Sequence, residues 1–140
     1  AIGDYFHPKV RFSGSGGACD VASFVDRTII FMQHERRKFV AKVDYLTSPG
    51  WLGGPEGRRK AGLTGNGPST VITDLAVMGF DDETREMVLE AYFPGKTPQM
   101  VLDNMEFAVD VSRARQLEPP TKRELRILRD QVDPQRLILG

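Results

Sequence analysis

The chain has 140 residues, of which 40% are hydrophobic and 27% charged, so it can form one globular domain with its own core. Its 19 Lys and Arg balance its 19 Asp and Glu. This argues against a nucleic-acid-binding protein, and no apolar run is long enough to cross a membrane.

The first elements in the chain predict a helix followed by a strand. A glycine-rich loop at residues 14–17 leads into a helix-compatible run with Val21, Phe24 and Val25 on one face. Residues 28–32 are a short apolar run. Because this run follows a helix, we predict a buried strand in a parallel sheet.

The middle of the chain predicts more strands around a long loop. Residues 39–46 alternate between apolar and polar types, which predicts a strand. Residues 49–69 hold seven of the fourteen glycines, and a loop of this length is usually functional or disordered. Residues 69–80 and 85–93 predict two strands of a β-hairpin, with a turn at 81–84.

The C-terminal third predicts two helices. Thr97 is a candidate N-cap for a helix over 98–105 that has proline at its first position. A capping-box pattern begins a second helix over 121–130, with Leu125 and Leu128 facing inward. Strands that alternate with helices and end in a hairpin predict an α/β domain, with an open, mostly parallel sheet and flanking helices.

The glycine-rich loop has two interpretations. Glycines between a strand and a helix often supply positive φ for a tight turn. Alternatively, a glycine loop that opens a helix leaves backbone N–H groups free to bind an anion or an oxyanion. It is not a phosphate-binding P-loop, because no Lys-Ser or Lys-Thr follows. It is not a dinucleotide fingerprint either, because Cys19 stands where the third glycine would be needed.

Cys19 could be a nucleophile at the helix N-terminus, but a small buried apolar residue is the favoured interpretation. As the single cysteine it cannot form an internal disulfide, which fits a reducing, cytoplasmic location. His7 and His34 are far in the sequence from other ligand types, so we predict no metal site.

Three further groups of residues are weaker candidates for a site. The basic clusters at 35–38 and 58–60 could bind phosphates, although solvated surfaces are favoured. Trp51 could cover a ligand or anchor its loop to the core. The residues before the glycine loop, namely Asp4, Tyr5 and His7, could line the same cleft.

Several segments in a fixed order carry a resemblance to a known family. They are residues 3–5, 8–11, 16–22, 27–32, 36–50, 71–77 and 94–95. Together they resemble the C-terminal half of the β subunit of family I coenzyme A transferases, in the branch that contains glutaconate CoA-transferase. The resemblance covers nearly the whole chain. It implies the CoA-transferase (NagB/RpiA-like) fold, of which residues 1–140 would be an incomplete half.

In that family a glutamate attacks an acyl-CoA thioester and passes through a glutamyl-CoA intermediate. The nucleophile belongs to the N-terminal half, in a Glu-Asn-Gly context that this sequence lacks. The start at Ala1 could reflect removal of an initiator Met or an internal start, and the resemblance favours an internal start. This chain alone is therefore expected to be inactive.

The resemblance also implies a role for the glycine loop. The backbone N–H groups of Gly16, Gly17 and Ala18 would form the oxyanion site, and Cys19 would not be catalytic. Coenzyme A would be a substrate, with no covalently bound cofactor, and the CoA-contacting residues are unknown. The partners would be an α subunit and the N-terminal half of the β subunit in a hetero-oligomer, with acyl-CoA and carboxylic acids as substrates and no nucleic acid or membrane.

Two alternatives to a CoA-transferase stay open. The same scaffold supports CoA-thioester hydrolases, including ring-opening enzymes of steroid catabolism. If the chain is complete as it stands, a non-catalytic binding domain is the second alternative.

Overall fold

The computed structural model describes residues 2–138 and has a mixed α/β architecture. Its centre is a five-stranded open sheet with the strand order β3-β4-β5-β6-β7. A separate two-stranded antiparallel ribbon precedes it, formed by β1 (Ile2–Gly3) and β2 (Pro8–Val10). The strands of the main sheet are β3 (Thr28–Phe31), β4 (Pro68–Ile72), β5 (Ala76–Phe80), β6 (Met87–Tyr92) and β7 (Arg115–Gln116).

The sheet combines parallel pairs at its two sides with an antiparallel centre. Strand β3 pairs with β4 in parallel, and β6 pairs with β7 in parallel. The pairs β4-β5 and β5-β6 are antiparallel. The α/β class, the open sheet and the hairpin are therefore confirmed.

Between residues 2 and 138, four α-helices accompany these strands, together with a short 3₁₀ helix at Arg36–Lys38 and a π-helical turn at Leu128–Val132. The helices are α1 (Gly16–Phe24), α2 (Gly57–Lys60), α3 (Pro98–Asp103) and α4 (Lys122–Ile127). Within the described residues, none of these helices is long and apolar enough to span a bilayer.

Local capping signals predicted the two C-terminal helix starts. Thr97 accepts a hydrogen bond from Met100 N, and proline occupies the first turn of α3. Thr121 and Glu124 form the reciprocal capping box of α4. The inward orientation predicted for Leu128 is wrong, because this side chain is exposed on an outlying helix.

The core lies between the central strands and α3. Its buried side chains are Phe39, Val71, Leu75, Ala76, Met78, Leu89, Val101 and Met105. Removing this much apolar surface from water is the main favourable contribution to folding.

Two of the strand predictions were wrong. Residues 69–80 form two strands because Thr73 Oγ1 accepts hydrogen bonds from Leu75 N and Ala76 N and stabilises a turn. Residues 39–46 contain no strand. Phe39 is buried in the core and its carbonyl accepts from Glu106 N, so this segment connects to α3 rather than to a sheet.

The apolar surfaces of α1 and β3 are exposed, and for β3 this contradicts the predicted burial of the strand. Phe24 is 67% exposed on α1, and Phe31 is 82% exposed on β3. The prediction of a parallel strand is confirmed, but β3 lies at the edge of the sheet, and within residues 2–138 no strand covers its outer side. An apolar groove of about 280 Å³ runs between α1, β3 and the loop at 48–50.

Candidate active site

Helix α1 begins with three N–H groups that the helix itself cannot satisfy. Its first hydrogen bond runs from Cys19 N to Ser15 O at 2.8 Å, so the N–H groups of Gly16, Gly17 and Ala18 precede it. The Ser15 side chain does not cap them, and no other residue between 2 and 138 accepts their hydrogen bonds. The helix dipole adds partial positive charge at the same end.

The glycines at this helix start are not required by the local structure. None of Gly14, Gly16 and Gly17 has a positive φ, and a Cβ atom built on any of them meets nothing within 4 Å. The tight-turn interpretation, in which these glycines supply positive φ, is therefore wrong. The side-chain-free face of the loop leaves its backbone open to approach from outside the chain.

A cleft of about 660 Å³ adjoins this helix start. Besides loop residues 12–15 it is lined by Tyr5, Arg11, Tyr45, Leu46 and Thr47. Clefts of this volume accommodate small-molecule ligands. The cleft thus places an open loop, a cation and two tyrosines together.

The tyrosines hold the wall of the cleft in place. Tyr45 donates its hydroxyl hydrogen to Gly3 O at 2.5 Å, and the Tyr5 ring meets the Tyr45 ring edge-on at 5.9 Å between centroids. Burial, helped by the charge of Asp4, raises the pKa of Tyr45. Tyr45 and Arg11 were missed as site residues, although Arg11 stands only three residues before Gly14 in the sequence.

Of the three residues predicted to line the cleft from the N-terminal segment, Tyr5 does so and the other two do not. Asp4 accepts hydrogen bonds from the backbone N–H groups of Phe6 and His7, both at 2.9 Å. Its Oδ1 also lies 3.5 Å from Nδ1 of His7. Asp4 therefore stabilises its own turn.

Cys19 has no base beside it among the described residues. Its thiol is half-buried and lies 4.0 Å from Ser23 Oγ. His34 is buried elsewhere, with its ring stacked on Phe39 at 4.4 Å. The structure thus brings neither histidine to the cysteine, which fits the apolar-residue interpretation.

The first basic cluster is a surface feature. Glu35 bonds to Arg37 and to Lys38, at 2.5 and 2.9 Å, and these contacts hold the pKa of Glu35 below its usual range. Arg36 reaches Asp103 O at 3.4 Å. Exposed pairs of this kind contribute little to stability.

The second basic cluster divides between surface and interior. Arg59 is exposed and pairs with Glu56. Its neighbour Arg58 is 3% exposed, which no local pattern in the sequence indicates.

Trp51 anchors its loop to the sheet. The indole N–H donates to Pro68 O at 2.9 Å, and the Arg85 guanidinium lies 4.7 Å from the ring centre. The anchoring interpretation of Trp51 fits these contacts. The indole also borders a second cleft of about 460 Å³, whose lining includes Arg27 and Arg113.

Comparison with known proteins places this architecture in a family. The sequence model for Coenzyme A transferase matches residues 1–104. The chain is 50% identical to the B subunit of glutaconate CoA-transferase from Acidaminococcus fermentans over 96% of its length and 50% of that protein. It is 36% identical to the B subunit of 3-oxoadipate CoA-transferase from Pseudomonas knackmussii over 91% of its length and 50% of that protein.

A solved structure gives the same result. The crystal structure of glutaconate coenzyme A-transferase from Acidaminococcus fermentans superposes with a TM-score of 0.90 at 48% identity, and the match covers 100% of this chain and 54% of that one. The chain thus spans about half the length of the relatives that it matches. By sequence and by fold, it belongs to the Coenzyme A transferase family.

Proposed function

We propose that this chain is the C-terminal portion, residues 1–140, of a CoA-transferase β subunit that moves CoA between carboxylic acids. One observation carries the proposal beyond family membership. The N–H groups of Gly16, Gly17 and Ala18 have no hydrogen-bond partner between residues 2 and 138, and a Cβ at Gly16 or Gly17 would meet nothing within 4 Å. The loop that precedes them lines a cleft of about 660 Å³. Such an arrangement suits the stabilisation of an oxyanion.

The chemistry requires this kind of donor. When a carboxylate attacks the carbonyl carbon of an acyl-CoA thioester, the carbonyl oxygen becomes negatively charged. Backbone N–H groups fixed at a helix start stabilise that charge without reorganising, and one such donor lowers the barrier by about 3 kcal/mol. Glycine at 16 and 17 keeps Cβ atoms out of the path of the acyl group.

We propose that the attacking glutamate lies in the other half of the β subunit, so that this chain alone is inactive. Arg11 supplies a positive charge at the cleft, where it can attract a carboxylate substrate or the anionic CoA. Coenzyme A acts in this proposal as a substrate. The attack expels CoA as a thiolate and leaves an acyl-glutamyl anhydride. The thiolate then attacks the glutamyl carbonyl, which releases the donor carboxylate and forms a glutamyl-CoA thioester. The acceptor carboxylate takes CoA from this thioester by the same two steps in reverse, and the glutamate is regenerated.

The partners in this proposal are the N-terminal half of the β subunit and an α subunit. Two matched relatives are named as the B subunits of their enzymes, which supports a heteromer. The exposed apolar side chains on β3, Ile29, Ile30 and Phe31, form a surface that is costly to leave in water. We assign that surface to assembly. The cytoplasmic location predicted from the single cysteine belongs to the same proposal.

Substitution of Gly17 tests the role of the loop. In the assembled enzyme, Gly17→Val should lower kcat for CoA transfer from acyl-CoA to acetate by on the order of 100-fold, because its side chain blocks the oxyanion site. The chain should fold normally, since a Cβ at this position meets nothing within 4 Å. The matched control is Gly53→Val, another glycine with open space and without a positive φ. Normal turnover in Gly17→Val would refute an oxyanion role.

The acceptor dependence separates the transferase from the alternatives. With acyl-CoA and acetate, the assembled enzyme should form acetyl-CoA, and with acyl-CoA in water alone it should release little free CoA. Steady CoA release without an acceptor would identify a CoA-thioester hydrolase, such as one of ring catabolism. Absence of both reactions, with retained binding of acyl-CoA, would identify a binding domain.

A further inference from the structure

The Arg58 guanidinium is buried and fully hydrogen-bonded to backbone carbonyl groups. Arginine carries five N–H donors in a planar fork, and all five are used here. Nε donates to Gly65 O at 2.8 Å. Nη1 donates to Pro49 O and Gly50 O at 3.2 and 3.1 Å, and Nη2 donates to Ala22 O and Ser23 O at 2.9 and 3.2 Å.

The charge of Arg58 is balanced without an ion pair. No acidic side chain in the described part of the chain comes within 4 Å of its guanidinium nitrogens. The carbonyl groups of Ala22 and Ser23 belong to the last turn of α1, where the helix dipole places partial negative charge. Arg58 therefore binds the C-terminal end of α1 by both charge and geometry.

Few other contacts hold α1. Ser23 is its one buried residue, while Val21 and Phe24 are 52% and 67% exposed. Beyond the helix, Asn66 bonds to the side chain and the carbonyl of Asp26, at 2.6 and 2.7 Å. The position of α1 in this chain thus depends strongly on the Arg58 hydrogen bonds.

Two glycines in the loop at residues 49–69 allow the Arg58 contacts to form, because a side chain at either position would collide with its neighbours. A Cβ at Gly65 would lie 2.1 Å from Val25 O, and a Cβ at Gly67 would lie 2.9 Å from Arg58 Cδ. Gly67 also has a φ of +76°, which favours glycine. The loop therefore closes tightly around Arg58 and the end of α1.

We propose that Arg58 is a positioning residue for the oxyanion site at the other end of α1. This inference rests on the function proposed above for Gly16, Gly17 and Ala18. A nine-residue helix is about 13 Å long, so a tilt of roughly 5° about its clamped end moves its first N–H groups by about 1 Å. A misplacement of about 1 Å can lower a rate on the order of 100-fold.

The test replaces the fork while leaving the site residues unchanged. In the assembled enzyme, Arg58→Lys keeps the charge but offers three donors instead of five. Arg58→Lys could fail to fold, because it buries a charge that has fewer hydrogen bonds. Arg58→Gln avoids this cause of failure, because it removes the buried charge. The matched control is Arg59→Lys, because Arg59 is exposed and pairs only with Glu56 among the described residues. Two readouts are needed: steady-state kinetics of CoA transfer from acyl-CoA to acetate, and amide hydrogen exchange of residues 16–24.

The expected result is a selective loss in both Arg58 variants. We expect kcat to fall by roughly 10- to 100-fold with KM within about threefold, because the N–H groups are misplaced when charge develops. Amide exchange in α1 should rise at the same time, with both readouts unchanged in Arg59→Lys. If Arg58 had only a structural role, its substitution would lower the yield of enzyme or the melting temperature. The folded enzyme would then not show a lowered kcat with an unchanged KM.

Two results would overturn the inference. Unchanged exchange in α1 would show that Arg58 does not hold the helix, and raised exchange with unchanged kcat would show that holding it does not matter for turnover. Failure of the proposed function is separately visible, as absence of CoA transfer in the unsubstituted enzyme. In that case the exchange of residues 16–24 still decides whether Arg58 fixes α1.

Discussion

His34 is a buried residue whose two ring nitrogens both lie within hydrogen-bond distance of other groups. Nε2 lies 3.1 Å from Val101 O, and Nδ1 lies 3.2 Å from Thr73 Oγ1. A carbonyl oxygen can only accept, so Nε2 carries a hydrogen and donates it to Val101 O. The Thr73 hydroxyl has one hydrogen, and two acceptors lie within its reach at 3.2 Å, namely Nδ1 and Ala76 O. Burial lowers the pKa of His34 below the ordinary 6.5. The folded chain therefore favours the neutral ring.

This lowered pKa predicts that stability decreases in mild acid. As the pH falls below about 6.5, the unfolded chain takes up a proton at His34 and the folded chain does not, until the pH reaches the lower folded pKa. The free energy of unfolding should therefore fall between pH 7 and pH 5, measured by urea denaturation. Substitution His34→Gln should flatten this dependence.

The carboxylates act in a different pH window. The backbone N–H of His34 holds the pKa of Asp74 below its usual range, so the stability from Asp74 is present at neutral pH and is lost only below about pH 4.

If stability is constant from pH 7 to pH 5 in the unsubstituted chain, the account of His34 is wrong.

At the level of elements, α1 and β3 present apolar side chains that nothing in residues 2–138 covers. Phe31 is 82% exposed at the edge of the sheet. A strand with an unpaired edge readily pairs with another strand. Under the function proposed above, this surface would contact the other half of the β subunit.

Substitution of Phe31 tests that assignment. Phe31→Asp should change the free energy of unfolding of this chain by less than about 0.5 kcal/mol, because the side chain is already exposed. It should nevertheless reduce the yield of assembled enzyme in size-exclusion chromatography. The matched control is Phe6→Asp, which alters a side chain that is 78% exposed but lies outside the sheet. Equal yields for both variants would remove β3 from the interface.

Helix α4 offers a second test at this scale. Its capping box joins Thr121 and Glu124, and its residues are mostly exposed. Thr121→Ala should destabilise α4 by about 1 kcal/mol. Amide exchange of residues 122–127 should rise while the melting temperature of the chain stays constant. A matching fall in melting temperature would show instead that α4 unfolds together with the sheet.

At the scale of the whole molecule, the sequence predicts the features that arise from contacts between near neighbours. It does not predict those that depend on residues from distant segments or from outside the chain. Thr97, Thr121 and the hairpin after residue 80 follow from contacts between near neighbours, and they were predicted. The exposure of Phe31 could not be foreseen, because an apolar strand looks the same in sequence whether its cover lies inside or outside the chain. Arg58 resembled a surface cation, since its five acceptors come from three separate segments.

The candidate site shows the same division. The glycine loop at the start of α1 was predicted as a place for chemistry, and its free N–H groups are local features of a helix N-terminus. Arg11 stands three residues before Gly14 and is a local neighbour of the loop, whereas Tyr45 joins it only through folding. The attacking glutamate is proposed to lie in the other half of the subunit, so no pattern within these residues could identify it.

The central claim is that this chain supplies the oxyanion site while the nucleophile lies elsewhere in the enzyme. The most direct measurement is mass spectrometry of the assembled enzyme after incubation with acyl-CoA and no acceptor acid. We predict a CoA adduct that hydroxylamine removes, located on a glutamate outside residues 1–140 and formed much more slowly in Gly17→Val. An adduct on this chain, for example on Cys19, or steady CoA release without any adduct, would contradict the account.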